Sequence, residues 1–195
     1  MTLIKEKENK LITVEELFNM ELEEGYFYEL LNGHIVKKQA PSPPHQKAVV
    51  KITTLIENFI TERGLGDCYT SPIDVFFDKY NNTQPDILFI KKERLFIVTK
   101  DGIQGQPDLI VEVLSPSTYR TDRIAKMKAY CQFGVSEYWI VDPIYKAVEV
   151  YSLENSVYTM TSNAVETGEV VSKVLEEFKV DIEKIFIYGG RSGNF

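Results

Sequence analysis

The chain has 195 residues, enough for one domain with a substantial hydrophobic core. Hydrophobic residues make up 44% and charged residues 26%, a globular balance, and no apolar run is long enough to suggest a membrane span. The net charge of −7 excludes a protein that coats nucleic acid by bulk attraction, although it leaves room for a local basic cleft.

The polar opening, Met1 to Leu17, lacks the apolar segment of a secretory signal. Cys68 and Cys131 lie far apart and fit no metal or redox spacing, so two free thiols in a cytoplasmic chain are expected. Thr13 to Glu16 is a capping box that opens a short helix over 14–20. Tyr26–Leu31 and His34–Lys37 flank Asn32-Gly33 and predict a β-hairpin. Glu29 shares a strand face with Phe27 and Leu31. It reads either as an edge-strand solubilising charge or as a residue near a site.

Ser42-Pro43 starts a long helix. Its buried stripe is Ala48, Val49, Ile52, Leu55, Ile56 and Phe59, and Gly64 and Gly66 end it. His45, in its first turn, reads as a surface or packing residue. Strands are expected over Tyr69–Asp78 and Thr83–Ile90, the second opening with Gln84-Pro85-Asp86. The run Asp108–Leu114 is nearly all apolar, as in a strand covered on both faces. Glu112 interrupts it, and a glutamate between two valines asks for a cation, from a side chain or from a metal. Asp108 shares its face but lies about 13 Å away at roughly 3.3 Å per residue, so it reads as a loop-capping or supporting group. Ser115–Ser117 leads into a helix over 121–133, whose apolar arc is Ile124, Met127, Tyr130, Cys131 and Phe133. Lys126 and Lys128 flank that arc on opposite sides, and periodicity does not choose between them. A strand over 137–142, a closing hairpin, a weak strand near Val170 and a short helix over 181–185 complete the chain. A single domain spanning 1–195 is the economical organisation: a mixed sheet with helices on both faces.

Asp86 and Glu112 are acids on neighbouring predicted strands, where facing side chains lie about 4.5–5.5 Å apart. That spacing suits one hard cation such as Mg²⁺, which keeps waters and accepts a substrate phosphate. A lysine beside it would polarise water or stabilise phosphoryl oxygens.

These residues carry a resemblance. Pro85-Asp86 followed by Glu112 resembles the PD-(D/E)XK nuclease superfamily. More closely, Pro107–Ser117, then Asp122, Lys126 and Tyr130, then Gly134–Pro143, is similar to a widespread bacterial family of restriction-endonuclease-like proteins. The Tyr28–Gly33 hairpin and His45-Gln46 are similar too. The resemblance implies an α/β fold with an αβββαβ core, a mixed sheet flanked by helices and an N-terminal hairpin. It implies Mg²⁺ (or Mn²⁺) held by Asp86, Glu112 and a backbone carbonyl near Val113. Asp108, Glu29 and Tyr130 would support that set. The motif places lysine two residues after the glutamate, where this chain has Leu114. The family resemblance moves the lysine to the following helix, at Lys126. The expected function is Mg²⁺-dependent endonucleolytic hydrolysis of DNA by a homodimer. The alternative is an inactive nuclease-fold module binding nucleic acid or a protein. Arg120, Arg123, Lys128 and the 91–94 cluster are candidate backbone contacts. No serine elbow, P-loop or dinucleotide fingerprint is present.

Overall fold

The computed structural model describes residues 10–186, so most of the polar opening lies outside them. A capping box at Thr13 and Glu16 starts α1 (Val14–Phe18), with both reciprocal hydrogen bonds formed. The hairpin pairs β1 (Phe27–Leu31) with β2 (His34–Lys38). Its turn residues Asn32 and Gly33 both have positive φ, which asparagine and glycine tolerate best. The long helix α2 (Pro43–Arg63) ends at a left-handed Gly64.

The strands then diverge from the sequence expectation. Tyr69–Asp78 is not one strand but two: β3 (Gly66–Thr70) and β4 (Val75–Asp78), split at Ser71-Pro72. Thr83–Ile90 is likewise split, into β5 (Asn81–Thr83) and β6 (Ile87–Lys91), at Gln84-Pro85-Asp86. Each proline lacks an N–H and cannot continue a ladder, so each marks the place where the chain changes sheets. A 3₁₀ turn, Lys92–Ile97, then leads into the two-residue β7 (Val98–Thr99) and β8 (Gly102–Gln104). Then come β9 (Leu109–Val113), a π-wound stretch (Thr121–Lys126) running into α3 (Met127–Gln132), and β10 (Glu137–Asp142). The closing hairpin is β11 (Ala147–Glu154) and β12 (Val157–Val165). It is followed by β13 (Glu169–Val171), β14 (Lys179–Asp181) and α4 (Glu183–Phe186).

The main sheet has the order β12-β11-β10-β9-β6-β3. It is mixed, with β9 and β10 parallel and their outer neighbours antiparallel. Strand alternation divides its side chains between two cores. Ile87, Phe89, Leu109, Val111, Val113, Trp139 and Val141 pack under α2 and α4. Leu88, Ile90, Ile110, Tyr138 and Ile140 face Tyr130 of α3. The sequence expectation held for the class of fold: a mixed α/β sheet between helices. It did not contain the second six-stranded sheet, β2-β1-β5-β4-β8-β7, whose Val75 and Ile103 join the α3-side core. Ile124, expected in the buried arc of its helix, is 60% exposed. The π-wound turns shift the phase of that helix, and Asp122 and Lys126 turn inward instead.

Candidate functional site

Asp86 sits where the chain passes from the second sheet into β6. The β6–β9 register pairs Ile87 with Val111, and one step further it sets Asp86 opposite Glu112. Asp86 extends the ladder with its side chain: Oδ2 accepts the Val113 N–H at 2.8 Å. The same oxygen lies 3.1 Å from His45 Nε2, which α2 presents from its first turn. Burial alone would raise the Asp86 carboxyl, but the His45 hydrogen bond and charge hold it below its ordinary value.

Glu112 projects from the middle of β9 onto the α3 side. Its Oε1 accepts from Lys126 Nζ at 2.8 Å and from the Tyr130 hydroxyl at 2.8 Å. Thr83 Oγ1 lies 3.3 Å from that hydroxyl. Lys126 also reaches Glu29 Oε1 at 3.0 Å and lies 3.6 Å from Asp122 Oδ1. The cation that Glu112 demands is therefore supplied by a side chain. Asp122, Lys126 and Tyr130 fall four residues apart on one helix face, which delivers all three to the same spot. Lys126 is 1% exposed, whereas Lys128 points to solvent, so the geometry separates two residues that periodicity could not.

Glu29 is fully buried, and its Oε1 receives Lys126, Lys38 Nζ at 3.2 Å and the Gln84 N–H at 2.8 Å. Its Oε2 is buried without a partner. Burial opposes ionisation here, but Lys126, Lys38 and the Gln84 N–H together hold the carboxyl below its usual value. Glu112 goes the other way. Burial pushes it up to about 8 against the pull of Lys126, and the negative charges of Asp122 and Asp86 add to the rise. Lys126 is raised well above its ordinary value: burial would lower it, but Glu112 and Glu29 outweigh that.

Of the residues expected at a site, Asp86, Glu112, Val113, Lys126, Tyr130 and Glu29 come together. For Val113 the bond seen is through its N–H, to Asp86, whereas the expectation concerned its carbonyl. Asp108 stands apart. Its Oδ2 accepts the Lys91 N–H and its Oδ1 pairs with Arg94 at 2.9 Å, so it caps the loop at the far end of β9. Arg123 is held by both Glu149 oxygens at 2.9 Å and is not free for a backbone contact. Lys38 and Thr83 join the cluster without having been expected there, and His45, expected as a surface or packing residue, bonds Asp86. The Lys38 signal was present: an Asn-Gly hairpin pairs Phe27 with Lys38, which puts Lys38 on the face of Glu29. Among the described residues no three His, Cys, Asp or Glu side chains form a ready cage for a metal ion.

A cavity of about 700 Å³ opens beside this cluster, between the start of α2, the Ser71-Pro72 turn and the Ser115–Thr118 loop. Asp86, His45, Gln84 and Lys38 line it, while Glu112 and Lys126 lie behind them and do not.

A mixed α/β sheet between helices, with buried carboxylates beside a cleft, is the class that this architecture defines. The family model Uma2, described as "Putative restriction endonuclease", matches residues 14–183. The chain belongs to the Uma2 family. Among solved structures it is similar to one described as a putative nuclease belonging to DUF820 from Anabaena variabilis ATCC 29413. The TM-score is 0.73 and the identity 21%, over 90% of this chain and 97% of that one. No protein of curated function matches the chain. Among the described residues no helix is long and apolar enough to cross a membrane.

Proposed function

We propose that the protein is a divalent-cation-dependent endonuclease that hydrolyses phosphodiester bonds of DNA. The observation that carries this reading is that Asp86 lines an open cleft while bonded to the Val113 N–H, one residue after the buried Glu112. The donors fit a hard cation. Both are carboxylates, and Asp86 Oδ1 and Glu112 Oε2 have no hydrogen-bond partner among the described residues. Two protein oxygens with a backbone carbonyl near Val113 suit Mg²⁺, which keeps most of its waters and takes few protein ligands. Bound there, it would supply positive charge to polarise a phosphoryl oxygen and offset the negative charge that develops on it.

The protein's own groups have defined tasks. His45 and the Val113 N–H fix Asp86 through Oδ2 and leave Oδ1 free. Lys126 and Tyr130 fix Glu112 through Oε1 in the same way. Lys126, held between Glu112 and Glu29, keeps a positive charge behind the reacting centre. Two copies acting together would cut both strands. Scission of supercoiled plasmid in Mg²⁺, abolished by chelator and restored by Mn²⁺, tests the activity. A Mn²⁺ titration tests the competing reading of an inactive module, which would show no site that Glu112→Gln removes.

A further inference from the structure

The cleft contrasts with the ion network behind it. Lys126, the lysine that the nuclease motif leads one to expect against the substrate, is buried and absent from the cleft wall. Its ammonium is committed to Glu29 and Glu112. Among the described residues, Lys38 is the single lysine or arginine lining the cleft. It stands at the end of β2, with its side chain 14% exposed. Nζ lies 3.2 Å from Glu29 Oε1 and 3.2 Å from the Gln84 carbonyl, two residues before Asp86. An ammonium has three donors, so two are engaged and one remains for an anion. Against the larger effect of burial, its charge is felt by Glu29, Asp86, Glu112 and Asp122 alike, which puts it within electrostatic reach of the whole cluster.

We propose that Lys38, not Lys126, is the cation that touches the substrate, binding a phosphate oxygen of the strand lying in the cleft, while Glu29 holds Lys38 and Lys126 in one arrangement. This rests on the nuclease reading for the identity of the substrate. The N-terminal hairpin is then part of the binding site rather than a covering element. Lys38 supplies local positive charge at this cleft in a chain whose net charge is −7. Lys126 acts through Glu112 as a positioning residue.

The test is binding of a fluorescein-labelled 12-nucleotide single-stranded DNA by the full chain, in chelator, across a series of salt concentrations. Cleavage in Mg²⁺ is measured in parallel. Lys38→Gln is expected to weaken binding by roughly tenfold, as loss of a charged hydrogen bond does. It is also expected to reduce the slope of log affinity against log salt by about 1. Lys38→Arg keeps the charge and is expected to restore both. The fold should survive either change, because Glu29 Oε1 keeps Lys126 and the Gln84 N–H. Melting curves confirm this. Equal affinity and equal slope for wild type and Lys38→Gln would overturn the proposal, and so would a wild type that binds no DNA. Lys38-dependent binding without any cleavage would sustain the assignment and remove the nuclease reading. Cleavage with Lys38-independent binding would do the reverse.

Discussion

Lys126 Nζ meets Glu29 Oε1 at 3.0 Å although the two residues are 97 positions apart in the chain. This contact ties the N-terminal hairpin to the helix after β9, and both side chains are almost wholly excluded from solvent. Removing one partner of such a pair leaves the other charge buried and uncompensated, at a cost of about 3–5 kcal/mol. Glu29→Ala should therefore lower stability by that amount in chemical denaturation. Lys126→Met is expected to be similarly costly, since it strands Glu29 and Glu112 together. A double-mutant cycle should show coupling of about 0.5–3 kcal/mol. Additive effects would contradict the pairing.

Lys128 provides the contrast. It lies two residues along the same helix but faces solvent. Lys128→Ala is expected to change stability by no more than about 0.5 kcal/mol. Its activity should match wild type in a plasmid nicking assay.

His45 bonds Asp86 through Nε2, and its Nδ1 is buried without a partner. A group that orients a metal-binding carboxylate typically contributes about 10–100-fold to affinity or activity. His45→Ala is expected to reduce Mn²⁺ affinity and nicking within that range, with the fold intact by circular dichroism. Unchanged Mn²⁺ affinity would show that the histidine only packs.

Glu112 makes stability fall as pH rises, and Asp122, likewise raised by burial, acts in the same sense. The folded-state value of Glu112 is raised from 4.5 to about 8 by burial, so the folded chain binds more protons than the unfolded one between those values. Its stabilising contribution is complete below about pH 4.5 and is lost as pH rises through about 8. Glu29 and Asp86 are lowered and act oppositely, losing their contribution on acidification. Glu112→Gln should thus flatten the fall in melting temperature between pH 5 and pH 9 that wild type shows in chelator. A wild-type curve that rises over that window would be inconsistent with the burial of an unfavourable carboxylate.

Much of the site could be read from the chain because its signals are local. Glu112 stands out as a lone acid in an apolar strand, and Asp86 follows a proline at a strand start. What could not be read needed long-range contacts. Pro72 and Pro85 signal a break in a ladder, but the sequence around them does not say that the chain passes there into a second sheet. The π-wound turn that brings Lys126 inward has no periodic signature, so Lys126 and Lys128 stayed equivalent until the resemblance and then the geometry separated them. Glu137 was hidden in an apparently ordinary strand. It is fully buried, accepting from Trp139 Nε1, Ser172 Oγ and two backbone N–H groups, and it anchors the chain around β13. Its donors come mostly from residues more than 30 positions away, which no window of sequence contains.

The central claim is that Asp86 carries the cation on which phosphodiester hydrolysis depends. Nicking of supercoiled plasmid in Mg²⁺ by wild type and by Asp86→Ala, purified in parallel, tests it most directly. The account requires nicking by wild type and a loss of at least about 100-fold in the variant, the upper end of what orienting residues alone contribute. Equal nicking by both proteins, or none by either, would contradict it.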